Sequence, residues 1–122
     1  MKIKELDELV SLSQQFKSNE DGTIVLINVF NIEPSEEEAL LEAWSADADF
    51  LKTQPGYIST QMHKGIGGSG CYINYAIWED LESFSTAFAT PEFQALLRAY
   101  PESAIAAPHL FKKLAVKGHC VS

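Results

Sequence analysis

Two side-chain amides and an indole stand in stretches of this chain that are otherwise apolar, and their chemistry is the first thing to account for. In YINYAIW, Tyr72 to Trp78, the alternation of an extended chain puts Tyr72, Asn74, Ala76 and Trp78 on one face and Ile73, Tyr75 and Ile77 on the other. In TIVLINVFNI, residues 23–32, Asn28 shares a row with Leu26, Phe30 and Ile32. A sheet gains nothing from an amide in such a row, because an unpaired buried polar group costs about 1–3 kcal/mol. Each amide is therefore either satisfied by neighbouring backbone or aimed at a ligand. With the N–H of Trp78, the amides of Asn28 and Asn74 suit a flat, largely apolar ligand that carries a few oxygens. Phe30 and Tyr72 in the same rows, with Phe84 and Phe88 farther along the chain, are the candidate apolar lining. His63 is the only histidine in a predicted core element and hence the candidate for moving a proton, but strand register decides which face it occupies. Its alternative is an ordinary sheet-edge side chain.

These residues need a sheet and a cover to position them. Ile3, Leu6, Leu9 or Val10, and Phe16 recur at helical spacing, so residues 3–17 are predicted to form an amphipathic helix that ends in NEDG. TIVLINVFNI is the first strand. Ser35 followed by Glu38 has capping-box spacing and opens a helix with an apolar stripe of Leu40, Leu41, Trp44, Ala48 and Leu51. Pro55-Gly56 ends it; YISTQMHK, residues 57–64, is the second strand and CYINYAIW, residues 71–78, the third. GIGGSG between them joins two strands and opens no helix, so it reads as a hairpin turn rather than a phosphate loop. Asp80 is a predicted N-cap, and Thr90-Pro91 restarts the helical region after a break near Ala89. Residues 101–108 are predicted as a loop and HLFKKLAVK, residues 109–117, as the fourth strand. The order is β-α-β-β-α-β, an α+β ferredoxin-like domain over residues 23–122 preceded by a helical extension over 1–22.

Two helices cover one face of a sheet, yet Val25, Ile27 and Val29 alternate with Ile24, Leu26 and Phe30, so the first strand is apolar on both faces. The economical cover for the second face is another copy of the same sheet, a homodimer with twofold symmetry; the N-terminal helix is the rival cover.

Composition narrows the function classes. The chain has 122 residues and a net charge of −8, from 17 acidic against 9 basic side chains. That balance repels phosphate backbones and anionic lipid, so neither nucleic acid nor a membrane is an expected partner. The charged N-terminus lacks a signal-peptide core, which places the protein in the cytoplasm as an expectation. Cys71 and Cys120 have no metal or redox spacing and read as free thiols.

GCYINYAIWEDLESF, preceded by PGYISTQMHK and followed by PEFQALL, resembles the antibiotic biosynthesis monooxygenase family, small dimeric α+β barrels. Within it, the N-Y-A-x-W pattern is similar to cofactor-free oxygenases that convert polycyclic phenols or anthrones to quinones. The resemblance implies catalytic roles for Asn74 and Trp78, and for Asn28 as the counterpart of a first-strand asparagine found in several members. It implies a small aromatic substrate, O2 and no cofactor, with the protein supplying binding, proton transfer and electrostatics. Some members carry a tyrosine where this chain has Phe84, and haem-degrading members carry a tryptophan and an axial histidine where it has Ala87 and Leu97. The alternative is a non-enzymatic, small-ligand-binding or stress-related dimer that keeps the fold without the chemistry.

Overall fold

The computed structural model describes residues 1–122. Its elements are β1 (Lys2–Ile3), α1 (Leu12–Phe16), β2 (Ile24–Asn31), α2 (Glu37–Leu51), β3 (Tyr57–Lys64), β4 (Cys71–Trp78), α3 (Leu81–Phe88), α4 (Pro91–Leu96) and β5 (Ile105–Phe111). They build a five-stranded sheet in the order β1-β5-β2-β4-β3, antiparallel except for the parallel β1/β5 pair. Without β1 this is the ferredoxin-like arrangement expected from the order of elements, with the helices packed on one face.

Helix starts follow local chemistry. The Asp80 carboxylate accepts from Ser83 N at 2.8 Å and opens α3. Thr90 Oγ1 accepts from Phe93 N at 3.2 Å and opens α4, with Pro91 in its first turn, and the break falls at Ala89 as expected. The start of α2 differs from expectation. Pro34 initiates a 3-10 turn over Pro34–Glu36 that carries Ser35 inside the helical rise, so the Ser35–Glu38 capping box does not form. Glu37 and Glu38 still lie in the first turn of α2, where the helix dipole favours them.

Two further expectations are corrected. The predicted helix over residues 3–17 is instead the short strand β1 and the five-residue α1. Lys2 N and Lys4 N donate to Ala104 O and Ala106 O at 2.9 and 2.8 Å, so pairing at the open edge of β5 outweighs helical periodicity. The true start signal is Ser11 with Gln14, a capping box with both bonds made. The fourth strand runs over Ile105–Phe111 rather than 109–117. Its proline is tolerated because the N–H side at Pro108 faces the free edge, as shown by Leu110 N two residues on, which bonds Gln15 Oε1 at 3.0 Å. Gln15 Nε2 returns a bond to Leu110 O at 2.9 Å, so one side-chain amide substitutes for a strand partner.

The inner, helix-covered face holds the core. One cluster gathers Trp78, Phe84, Leu81 and Phe93 around Leu26, and a second gathers Phe30, Tyr72, Tyr100 and Leu40. On the outer face Ile73, Tyr75, Ile105 and Phe111 remain 36–38% exposed. The N-terminal segment does not cover that face; it extends the β5 edge.

Candidate active site

Between the inner face of the sheet and the helices lies a cavity of about 40 Å³, with apolar walls that include Phe30, Phe84, Phe88 and Phe93. Asn28 of β2 and Asn74 of β4 are directly opposed in the strand register and both line it. Asn74 is buried; its Oδ1 accepts a 2.5 Å hydrogen bond from Thr60 Oγ1 on β3, which turns the amide NH2 toward other partners. Asn28 Oδ1 is buried with no hydrogen-bond partner. The two amides are therefore unlike. Asn74 offers donors, and Asn28 offers an unused acceptor that a ligand O–H would satisfy.

The helices add a polar pair that the sequence reading missed. Asp47 of α2 is 8% exposed and lines the same cavity, and Tyr100 Oη donates to its Oδ2 at 2.7 Å. Burial pushes the Asp47 carboxyl up to about 6, partly offset by the bond from Tyr100. Burial, followed by the negative charge of Asp47, pushes the Tyr100 phenol far above its usual range and keeps it a donor. The Tyr100 ring stacks on Phe30 with centroids 5.7 Å apart and planes 9° from parallel. A signal for Asp47 existed. The buried positions Leu40, Ala43, Asp47 and Leu51 follow helical spacing, so a carboxylate occupies the inward stripe.

The other candidates divide. Phe30, Phe84 and Phe88 line the cavity with Asn28 and Asn74. Trp78 does not; it borders an adjoining hollow of about 10 Å³ that also touches Asp47 and Asn74, and it packs edge-on against Tyr57 and Phe84. Tyr72 is turned away and donates to Glu37 Oε1 at 2.9 Å, beside the Lys64–Glu37 ion pair. Burial and then the bond to Glu37 raise the Tyr72 phenol and keep it protonated. His63 is exposed and pairs with Ile73 on the outer face, while Thr60 and Met62 face inward with Asn74. Register thus separates His63 from the amides.

The sequence profile of the antibiotic biosynthesis monooxygenase family matches residues 23–99, from the start of β2 through α4. The chain belongs to the antibiotic biosynthesis monooxygenase family. A candidate monooxygenase from Shewanella loihica PV-4 shares 32% identity and superposes with a TM-score of 0.66, covering 80% of this chain and 100% of that one. SnoaB, a cofactor-independent oxygenase from Streptomyces nogalater, shares 21% identity at a TM-score of 0.69 over 80% of this chain and 99% of its own. A candidate antibiotic biosynthesis monooxygenase from Caulobacter crescentus CB15 has a TM-score of 0.70 at 14% identity, covering 78% and 92% of the two chains. At such identities the last two relatives show the fold. No curated protein matches the chain. Membership in this family supports monooxygenase activity in general. No helix is long and apolar enough to cross a membrane.

Proposed function

We propose that this protein is a cofactor-independent monooxygenase that oxidises an electron-rich phenol or anthrone with O2 to a quinone and water, or a quinol to a hydroxyquinone and water, and that it works as a homodimer. The observation that carries the reading is the pairing of Asn74, whose NH2 is free, with Asn28, whose Oδ1 is a buried orphan, in an aromatic-walled cavity. Together they select a ligand with both an oxygen acceptor and an O–H donor on an apolar frame, which describes a phenol or hydroquinone. Once ionised and held dry, such a ring is electron-rich enough to reduce O2 itself. The protein's part is to bind, to take a proton and to stabilise negative charge on oxygen. Asn74 donates to that oxygen, and Trp78 closes the floor behind it.

The cavity is smaller than a single aromatic ring needs, on the order of 150 Å³, so ligand entry requires an opening movement. Met1 and Ile3 form part of its wall, and β1 is held by the two backbone bonds described above. The N-terminal arm is therefore the segment to move. The small volume of the cavity also favours a second reading, a binding protein that holds a small ligand without oxidising it.

The test is O2 uptake by metal-free protein with a panel of naphthols, anthrones and hydroquinones, followed through 18O2 incorporation into the product. Asn74→Ala is expected to lower turnover about ten- to a thousandfold while lowering stability by no more than about 1 kcal/mol, from the lost Thr60 bond. Ligand binding without O2 consumption across the panel would establish the binding protein instead.

A further inference from the structure

We propose that the Asp47 carboxylate is the proton acceptor of this site, held in place by Tyr100 and taking the O–H proton of a phenolic substrate whose oxygen is bound by the Asn74 amide. The inference rests on the phenol-oxidising reading and supplies the base that the reading lacks, since His63 lies on the outer face.

Position makes the assignment. Asp47 projects from the helix layer and Asn74 from the sheet, and the two residues border both the main cavity and the adjoining hollow. Any ring oxygen bound to Asn74 in this space is enclosed with Asp47. Tyr100 occupies Oδ2, and Oδ1 accepts no hydrogen bond from the chain. The carboxylate is therefore anchored by one oxygen and open at the other.

Its surroundings make it a base rather than half of an ion pair. The elements packed around it contribute Leu26 and Asn28 from β2, Thr60 from β3, Asn74 from β4, Phe84 and Phe88 from α3, and Phe93 from α4. The other titratable groups on residues bordering the two spaces are the phenols of Tyr100 and Tyr57 and the α-amino group of Met1, which forms no ion pair with Asp47; no lysine, arginine or histidine borders either. A buried carboxylate with no cation paired to it binds protons more strongly than one in water, and its value of about 6 leaves it ionised yet basic near neutral pH. The step itself balances. Asp47 Oδ1 forms a bond to the proton, the substrate O–H bond breaks with its electron pair remaining on oxygen, and the negative charge passes from Asp47 to a phenolate that accepts hydrogen bonds from Asn74. Asp47 is then a neutral acid, able to return the proton to a reduced oxygen species.

A proton acceptor in contact with the bound oxygen has a signature independent of turnover. Dinitrophenol, already ionised at neutral and mildly acidic pH, stands in for the phenolate and can bind well only when Asp47 is protonated. For the wild-type chain its affinity should be flat below about pH 6 and fall about tenfold per pH unit above it, with one proton taken up on binding. Asp47→Asn, which imitates the protonated acid, should remove both the pH dependence and the proton uptake. It should bind dinitrophenolate about a hundredfold tighter than wild type at two pH units above the break. Tyr100→Phe removes the bond that lowers the Asp47 value, so the break should move to higher pH. If Asp47→Asn does not fold, that shift carries the test alone. Absence of saturable binding, a wild-type affinity independent of pH, a dependence that persists in Asp47→Asn, or an unmoved break in Tyr100→Phe overturns the proposal. O2 uptake separates it from the reading on which it rests. Expected binding with no oxidation of any phenol ends the oxygenase reading and leaves the proton acceptor standing. Undiminished O2 uptake by Asp47→Asn with an unchanged pH profile does the reverse.

Discussion

On the inner face of the sheet, β2 and β4 each break an apolar row with one amide, Asn28 and Asn74, directly opposed; on the outer face Val25, Ile27 and Val29 run beside Ile73, Tyr75 and Ile77 with no polar group between them. Both faces are built by the same two strands, so strand propensity explains neither difference. The inner face keeps polar groups at a cost in stability because a cavity and a helix carboxylate lie against them. The outer face carries its one buried polar side chain on β5, where His109 stands opposite Ile27 with Nδ1 unpaired, and along β4 it leaves large apolar side chains exposed, among them Ile73 at 38% and Tyr75 at 37%. In the proposed reading one face holds a small molecule and the other a second copy of the sheet.

The strongest way to break this contrast is to put a charge on the outer face. Tyr75→Asp, at a position already 37% exposed in the single chain, should leave the fold intact while weakening the proposed dimer about a hundred- to a thousandfold, since a buried charge at an interface has no partner there. Sedimentation over a range of concentrations measures it. An unchanged dimer would mean that the subunits meet elsewhere, and a wild-type monomer would remove the assembly reading altogether.

The inner face makes the opposite prediction, a penalty that depends on pH. Asp47 has a folded value of about 6 against 3.8 in the ordinary case, so between these values the folded chain binds more protons than the unfolded one. Stability therefore falls as pH rises from about 4 to about 6, by about 3 kcal/mol in total, and is flat above that range. Glu37 and Asp80 shift the other way: Glu37 is lowered by Lys64 and Tyr72, and Asp80 by the Ser83 N–H, so their stabilisation is lost only as pH falls through the carboxylate range. Denaturant titrations across this window should show the decline in wild type and its loss in Asp47→Asn. A profile that climbs from pH 4 to 6 would mean that Asp47 ionises easily in the folded chain.

The same contrast shows what could be read from sequence. Alternation alone put Asn74 and Trp78 on one face of their strand and Asn28 in the row of Leu26 and Phe30, because a period of two leaves no freedom within a strand; that the two rows share a face is set by the β2/β4 register. It did not place His63, whose face depends on how β3 pairs with β4, and the β-bulge between Tyr57 and Ser59 shifts that register. Two serines show the limit of local motifs. Ser11 and Ser35 both precede a Gln or Glu by three residues, yet only Ser11 forms a capping box, because Pro34 starts the helical rise one residue too early for Ser35. Pro108 marked a loop in the sequence and lies within β5, since the missing N–H points to an unpaired edge that only the assembled sheet reveals. Asp47 was legible in principle as a charge on an inward stripe; its partner Tyr100 lies 53 residues away and was not.

The smallest effect separates the two amides from each other. Asn74 is held by Thr60, and removing it leaves a hydroxyl without its acceptor; Asn28 Oδ1 has no partner, and removing it leaves nothing unpaired. Asn28→Leu replaces the amide with an apolar side chain of similar size in a row that already contains Leu26 and Phe30. The desolvation cost of the orphan carbonyl disappears, so the variant should be more stable than wild type by about 1–2 kcal/mol, read as a shift in the denaturant midpoint at unchanged slope. Turnover and ligand affinity should fall together, because the acceptor for a ligand O–H is lost while the Asn74 donors remain. A gain in stability with loss of function is expected of a polar group kept for a ligand. A loss of stability in Asn28→Leu would show instead that its carbonyl is satisfied within the folded protein, and the amide would then belong to the structure of the sheet.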